Sequence, residues 1–283
     1  MIRRLAIVGV GLLGGSVAKA ARARGVAREV IGIGRDMGRM RAAVDDGALD
    51  RATTDLADGL RDADFIILGA PVRAIETLLE RIWDDVPRDA IVTDVGSSKG
   101  AIVRAADELA RRAPRTFVGS HPMAGSEKSG YAVARADLFQ GALVVVTPGE
   151  ASGHGAVKTV TAFWERCGAR VMELPPDAHD AAVAAVSHLP HLVACALMDA
   201  VAREAAGALA VAARGFRDTT RIAAGDPVMW QEIFLTNRAP LLEAVAAFRR
   251  ALDDLERVIE DGDPAKVEAA LARIKTARET LPS

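Results

Sequence analysis

One histidine stands in the part of the chain whose residue types best suit proton transfer. His121 closes a short apolar run, is followed by Pro122, and precedes the small polar segment 123–127, MAGSE. An imidazole titrates near neutral pH and can accept a hydroxyl proton while a hydride leaves the same carbon. A lone histidine is more often structural, but its place at the end of a predicted strand favours a catalytic role in alcohol oxidation.

Three other polar clusters could contribute to the same site. Residues 97–99, SSK, follow an apolar run that ends at Asp94, and Ser97 can either cap the next helix or serve the site. Residues 187–191, SHLPH, put His188 in an apolar helix, where a buried imidazole needs a partner such as a substrate. The HExxH pattern is absent, and we expect no metal.

The third of these clusters, residues 215–221 with sequence GFRDTTR, concentrates charge between helical segments. Arg221 can hold a carboxylate through two parallel hydrogen bonds. The alternative is a surface ion pair with Asp218, which would add little to stability.

A glycine fingerprint opens the chain where an apolar run gives way to helical spacing. Gly9 permits a tight turn, Gly11 lets the backbone approach a pyrophosphate, and Gly14 permits close helix packing, with Leu12 and Leu13 between them. The start of the following helix would face the phosphates. We therefore predict a dinucleotide site.

The second predicted strand ends in Gly34, Arg35 and Asp36. Gly34 stands where an acid would bind the ribose hydroxyls of NAD, and Arg35 could pair with a 2′-phosphate, which favours NADP slightly. Asp36 could still serve NAD, so both cofactors stay open. Ala70 and Pro71 follow another predicted strand and leave room for the cofactor.

These residues need a scaffold that brings strand ends together, and the apolar periodicity predicts one. Strand-like runs alternate with helical patterns up to Gly119, and two further apolar runs, 142–147 and 170–174, indicate closing strands. From residue 177 onward alanine-rich helical patterns dominate. We predict an α/β protein with an N-terminal Rossmann-type doubly wound sheet, residues 1–175, and an all-helical C-terminal domain, residues 176–283, for substrate binding and dimerisation.

Composition excludes several classes of protein. A net charge of −2 over 283 residues gives no field for holding nucleic acid or an anionic membrane surface. The two cysteines lie far apart, which indicates neither a disulfide framework nor a zinc site and favours the cytoplasm. No apolar stretch suggests a signal peptide or a membrane span.

Five motifs, in this order and spacing, resemble the prephenate dehydrogenase family, which includes arogenate dehydrogenases. They are GVGLLGGS, DVGSSKG, GSHPMAGSEKSG, SHLPH and GFRDTTRIA, and the likeness runs nearly end to end. The resemblance implies oxidative decarboxylation of prephenate to 4-hydroxyphenylpyruvate, or of arogenate to tyrosine, with NAD or NADP. It also implies a homodimer joined through the helical domain.

The resemblance further implies a role for each matched residue. His121 would be the catalytic histidine that hydrogen-bonds the ring hydroxyl, and Ser97 would help to hold both. Arg221 would bind a substrate carboxylate, and His188 would line the pocket. Ser126 and Glu127 would lie at the mouth of the pocket, and Asp218 would orient charged groups.

The main alternative is a two-domain 3-hydroxyacid dehydrogenase, which would share the glycine fingerprint and a helical second domain. Such an enzyme would carry a catalytic lysine on a helical-domain helix, and residues 177–240 contain no lysine. A cofactor-sensing module without chemistry would have no reason to keep His121, Ser97 and Arg221. Because the chain ends one helix after Asp261, we expect any feedback by tyrosine to act at the active site.

Overall fold

The N-terminal part of the protein is a single eight-stranded sheet covered by helices. The structure, a computed structural model, describes residues 1–125, 128 and 130–281. The strands, in chain order, are β1 (Ile2–Val8), β2 (Ala27–Ile33), β3 (Arg51–Thr53), β4 (Phe65–Leu68), β5 (Ile91–Asp94), β6 (Thr116–Pro122), β7 (Leu143–Thr147) and β8 (Arg170–Glu173).

The strand order of this sheet is β3-β2-β1-β4-β5-β6-β7-β8. It reverses direction between β1 and β4, which creates the crevice where open parallel sheets bind ligands. Every pairing is parallel except that of β6 with β7, where His121 lies opposite Val145. The sequence left the direction of the closing strands open, and β7 runs antiparallel to β6 because no helix crosses over between them to return the chain to the same edge.

Helices cover both faces of the sheet because successive strand residues point to opposite sides. Leu5 and Ile7 of β1 belong to one apolar cluster, whereas Ala6 and Val8 belong to the other. The helices of this part are α1 (Leu12–Ala23), α2 (Met37–Asp45), α3 (Leu56–Leu60), α4 (Val72–Ile82), α5 (Gly100–Arg112) and α6 (His154–Arg166).

Three of these elements were missing from the prediction. The strand β3 and the helix α3 span three and five residues, too few for a periodic signal. Helix α6 is longer, and the sequence reading passed over it between two well-marked strands. It supplies Trp164, Phe163 and Val160 to the core.

The chain becomes helical after β8, as predicted. These helices are α7 (Pro176–Val183), α8 (Leu189–Glu204), α9 (Arg214–Thr220), α10 (Pro227–Thr236), α11 (Arg238–Glu260) and α12 (Pro264–Glu279). A π-helical turn, Ala184–His188, joins α7 to α8 without a break, and short 3₁₀ turns cover Ala206–Val211 and Arg221–Ala224.

The joined helix Pro176–Glu204 corrects one sequence expectation. By length and composition alone it is apolar enough to cross a membrane, although no such stretch was expected. The core helix of a soluble protein passes the same test of length and composition. This one carries His179, Asp180 and His188 on its buried side, and the first two of these residues bind the sheet part of the protein.

Candidate active site

The glycine turn is held against the end of a neighbouring strand. Gly9 has φ +97°, a conformation that favours glycine, and a Cβ there would lie 2.5 Å from the Gly69 carbonyl oxygen. A Cβ at Gly14 would lie 2.0 Å from the Gly9 carbonyl oxygen. The sequence assigned a tight turn to Gly9 and close helix packing to Gly14, and the turn between β1 and α1 does pack tightly against the segment that leads to Ala70.

The middle glycine has a different environment, because a Cβ at Gly11 would meet no atom of the described residues within 4 Å. Gly11 is the N-cap of α1, no side chain caps that end, and the first turn of the helix contains no acid. Free amides and the positive end of the helix dipole therefore face an open approach. This turn has the shape and polarity that fit the pyrophosphate of a dinucleotide.

The end of β2 has no acid free to bind a ribose. The Asp36 carboxylate caps α2, accepting a hydrogen bond from the Gly38 amide at 2.8 Å, and it also pairs with Arg39 at 3.6 Å. An acid could not replace Gly34 without displacing Met40, whose sulfur would lie 2.8 Å from the new Cβ. The Arg35 side chain lies exposed beside them.

His121 lies at the carboxyl end of β6 and is bound by a residue of the helical part. Its Nδ1 lies 2.9 Å from Nε2 of His179, and Nδ1 of His179 lies 2.8 Å from the Asp180 carboxylate. Asp180 also accepts the Lys99 amide at 2.7 Å and the Gly100 amide at 2.8 Å, so it caps the start of α5. One hydrogen-bonded chain thus joins β6, α7 and α5.

A buried ion pair lies beneath this chain. The Lys99 ammonium contacts the Asp94 carboxylate and donates to the Ser120 carbonyl at 3.1 Å, and neither charged side chain is exposed. Asp94 also accepts the Gly96 amide at 2.8 Å and the Ser120 amide at 3.1 Å. These bonds fix the ends of β5 and β6, and so fix the backbone that carries His121.

His188 lies in the same buried region and is held by an asparagine. The Asn237 amide nitrogen donates to the Asp180 carbonyl at 2.8 Å and lies 3.1 Å from Nδ1 of His188. Next along the helix, His191 stacks on Trp230 with ring centroids 3.5 Å apart. The Oδ1 of Asn237 and the Nδ1 of His191 are buried without a hydrogen-bond partner among the residues described.

Burial keeps both histidines neutral. Desolvation lowers the pKa of His121 well below 6.5, and the electrostatic influence of the neighbouring basic groups His179, Lys99 and His188 lowers it further. Desolvation also lowers the pKa of His188 to about 4, although Asp180 opposes the shift. Burial would raise the pKa of Asp180, but hydrogen bonds from His179 and the two α5 amides lower it overall, so its carboxyl is ionised.

The remaining predicted site residues are placed less closely. Ser97 is half-buried in the turn before α5, beside the site. Arg221 is exposed at the start of a 3₁₀ turn that packs on α8, and Gly225 at its end lies against His191 and Trp230. Asp218 pairs with Arg214 at 3.2 Å. Ser126 and Glu127 fall outside the residues described.

Sequence reasoning missed three residues that hold the site together, His179, Asp180 and Asn237. The signal for the first two was an adjacent histidine and aspartate at the start of an apolar helix, where buried polar groups need partners. No signal pointed to Asn237, which is far from the other motifs in the sequence.

Comparison with known proteins identifies the family. A model described as the prephenate dehydrogenase nucleotide-binding domain matches residues 17–173, and one described as the prephenate dehydrogenase dimerization domain matches residues 175–273. The chain belongs to the prephenate dehydrogenase family. It is a nicotinamide-dependent oxidoreductase. The fingerprint Gly9 to Gly14 precedes the matched residues, so the assignment of the fingerprint depends on the geometry above.

The chain is similar to relatives over nearly its whole length. It is 32% identical to the prephenate dehydrogenase of Bacillus subtilis (strain 168), covering 98% of this chain and 75% of that protein. An A. aeolicus prephenate dehydrogenase, solved with hydroxyphenyl propionate and NAD+, has a TM-score of 0.91 and 34% identity, covering 99% and 98% of the two chains. Synechocystis arogenate dehydrogenase has a TM-score of 0.88 and 33% identity, covering 98% and 99%.

The hydroxyacid dehydrogenase alternative is not favoured. A Mycobacterium tuberculosis 3-hydroxyisobutyrate dehydrogenase shares the fold with a TM-score of 0.56, but the identity is only 13%. Architecture of this kind hosts several chemistries, so the likeness concerns the fold alone.

Proposed function

We propose that this protein oxidatively decarboxylates a cyclohexadienyl substrate, prephenate or arogenate, with NAD or NADP as the hydride acceptor. The observation that carries the proposal is the place of His121: a neutral, largely desolvated imidazole at the carboxyl end of β6, tied to the helical domain. That is where an open α/β sheet binds its ligands.

The dinucleotide is held by the glycine turn in this proposal. Gly9, Gly11 and Gly14, with Leu12 and Leu13, form the phosphate-binding turn, and Ala70 and Pro71 border it at the end of β4. A bound oxidised nicotinamide would supply the hydride acceptor for the hydroxyl-bearing carbon of the substrate. The protein's task is to hold that carbon and to move one proton.

His121 accepts the hydroxyl proton as the hydride departs. The ring carbon becomes a carbonyl, and the carbon–carbon bond to the ring carboxylate then breaks to release carbon dioxide. Its electron pair enters the ring and makes it aromatic. The proton on His121 returns to the resulting phenolate oxygen, so the base is regenerated. Aromatisation drives the decarboxylation, and the protein supplies chiefly position and one base.

The other residues position the substrate. Ser97, in the turn before α5, helps to hold the hydroxyl, and His188 lines the pocket on the helical side. Arg221 binds a substrate carboxylate, and Asp218, already paired with Arg214, orients that charged segment. Ser126 and Glu127 belong to the mouth of the pocket in this proposal.

NADP is the proposed preference between the two cofactors. Asp36 is engaged as a helix cap, and exposed Arg35 and Arg39 lie at the end of β2, where a 2′-phosphate would add negative charge. Titration of NADPH and NADH fluorescence should show tighter binding of NADPH. Arg35→Ala should weaken NADPH binding about tenfold, equivalent to roughly 1.4 kcal/mol, and leave NADH unchanged. Equal losses for both cofactors would contradict this preference.

We also propose the domain division and the assembly. The division lies at residues 175 and 176, between the end of β8 at Glu173 and the start of α7 at Pro176. The assembly is a homodimer joined through residues 176–283. The dimerization-domain match supports it, and so do the apolar side chains that α11 and α12 expose in the single chain.

The deciding experiment is a steady-state assay of four pairs, prephenate and arogenate each with NAD and NADP. Formation of reduced nicotinamide should be matched by equimolar carbon dioxide. Turnover with one substrate or both assigns the specificity at the side-chain keto or amino group. Silence in all four pairs, with cofactor binding intact, would refute the proposed reaction.

A further inference from the structure

The two site histidines are bound by groups whose hydrogen-bonding roles are fixed, and this determines where their ring protons lie. An ionised carboxylate only accepts hydrogen bonds, and a backbone carbonyl likewise only accepts. Asp180 supplies both groups, its carboxylate to His179 and its carbonyl to Asn237. Each bond further along the two chains follows from these starting points.

The first chain runs from Asp180 to His121. Because the carboxylate accepts, Nδ1 of His179 carries a proton, and Nε2 is an acceptor when that proton is the only one on the ring. The bond of 2.9 Å from that nitrogen to His121 requires the proton on Nδ1 of His121. The Nε2 of His121 is left with its lone pair, in the form needed to accept a proton.

The second chain runs from Asp180 to His188. The Asn237 side-chain atom that faces the Asp180 carbonyl must be the amide nitrogen, because two acceptors cannot bond each other. The same nitrogen lies 3.1 Å from Nδ1 of His188. That ring nitrogen therefore accepts a hydrogen bond from the second N–H of the Asn237 amide. The proton of neutral His188 is then on Nε2, where it can be donated.

We propose that His179, Asp180 and Asn237 are positioning residues that give His121 and His188 opposite ring tautomers. His121 presents an acceptor nitrogen to a substrate hydroxyl, and His188 presents a donor N–H to a substrate oxygen that only accepts, such as a carboxylate or keto oxygen. The catalytic meaning of this assignment rests on the proposed function, whereas the positions of the ring protons do not. It gives the pocket a polarity that favours one orientation of a hydroxy-carboxylate.

Tautomers can be read directly without any substrate. In protein labelled with ¹⁵N-histidine, two-bond ¹H–¹⁵N correlations separate protonated from unprotonated ring nitrogens. The chain has five histidines, so single replacements assign them. We expect His121 protonated at Nδ1 and His188 protonated at Nε2 near neutral pH. His121 protonated at Nε2, which a cationic His179 would impose, would overturn the proposal.

Variants at position 179 test the mechanism of the effect. His179→Leu removes the acceptor, and His121 should become a mixture of tautomers, with kcat lowered on the order of tenfold and the cofactor Kd unchanged. His179→Gln offers an amide oxygen to the same Nδ1–H and should recover most of the loss. His154→Leu, at the exposed start of α6, is the matched control and should change nothing.

The outcomes separate this proposal from the proposed reaction. If the wild-type tautomers are as expected but neither prephenate nor arogenate is turned over, the reaction is wrong and the tautomer assignment stands. If turnover occurs and His179→Leu leaves the His121 tautomer unchanged, the positioning role is wrong and the reaction stands. The wild-type spectrum decides the assignment even if His179→Leu does not fold.

Discussion

At the scale of single residues, this site depends on buried groups whose charges and protons are fixed by their partners. His121 is neutral because burial disfavours its cation and because His179 and Lys99 lie near. In the interior, the Asp94 carboxyl group is satisfied by Lys99 and by two backbone amides. A base that is already neutral and desolvated needs no reorganisation before it accepts a proton.

Replacement of the base gives the most direct prediction at this scale. His121→Asn should lower kcat by roughly 10²- to 10⁴-fold, the usual contribution of a positioned base, and should leave the cofactor Kd unchanged. Stopped assays for kcat and nucleotide fluorescence for Kd measure the two separately. Turnover equal to that of the wild type would remove His121 from its role.

The lowered pKa of His121 predicts how the rate depends on pH. The neutral form is the proposed base, so we expect activity to be lost only when pH falls through the pKa of His121, which lies well below 6.5. The facing groups, His179, Lys99 and His188, are all potential cations and none favours earlier protonation. A profile of kcat/KM between about pH 4.5 and 8 should therefore stay flat through pH 6.5. Half-loss near 6.5 would contradict the burial argument.

At the scale of elements, the N-termini of α1 and α5 differ in whether a side chain caps them. Two amides at the start of α5 are occupied by Asp180, which docks the helical part onto the sheet. The start of α1 has no side-chain cap and stays open for a ligand anion. One helix end is used for structure, and the other is the end proposed to bind the dinucleotide.

Gly11 and Gly14 should therefore respond differently to the same added methyl group. Gly14→Ala places a Cβ against the Gly9 carbonyl and should lower the midpoint of thermal unfolding as well as cofactor affinity. Gly11→Ala meets no protein atom, so it should unfold like the wild type but bind nucleotide more weakly.

Thermal melts and nucleotide titrations of both variants measure this difference. Equal destabilisation by both changes would show that the open approach at Gly11 has no special relation to the cofactor. Unaltered nucleotide binding by Gly11→Ala would place the pyrophosphate elsewhere.

At the scale of the whole molecule, the single chain leaves apolar surface uncovered. Phe248, Leu252 and Ile259 of α11 are 38%, 53% and 68% exposed, and their spacing of four and seven residues places them on one face of the helix. Exposed apolar stripes of this kind are typical of subunit interfaces. They match the dimer proposed above.

A charge in this stripe should disrupt the dimer. Leu252→Arg should give a monomer by light scattering, because a guanidinium cannot be desolvated in an apolar interface without a partner. Asp253→Asn changes the net charge equally on a different face of α11 and should remain dimeric. A dimer that survives Leu252→Arg would move the interface away from this stripe.

The sequence alone determined much of this protein through local chemistry. The glycines announced the turn at α1, and alternating apolar runs predicted the sheet, because backbone conformation and side-chain burial leave periodic traces. His121, Ser97 and His188 became candidates because they are polar residues beside or within apolar runs. Each of these signals lies within a short stretch of residues, so it can be recognised in a single sequence.

Only the tertiary structure decided how the site is held. In a regular α-helix, nine residues turn the helix by about 900°, so His179 and His188 would face opposite sides. The π turn Ala184–His188 inserts a residue and brings both histidines to the buried side, where Asn237, from α11's boundary, reaches one and Asp180 holds the other. Pro190 removes a helical amide just beyond that turn, which favours the irregularity without specifying it. Packing between segments that are distant in sequence determines this arrangement of the two histidines, and no local sequence pattern predicts it.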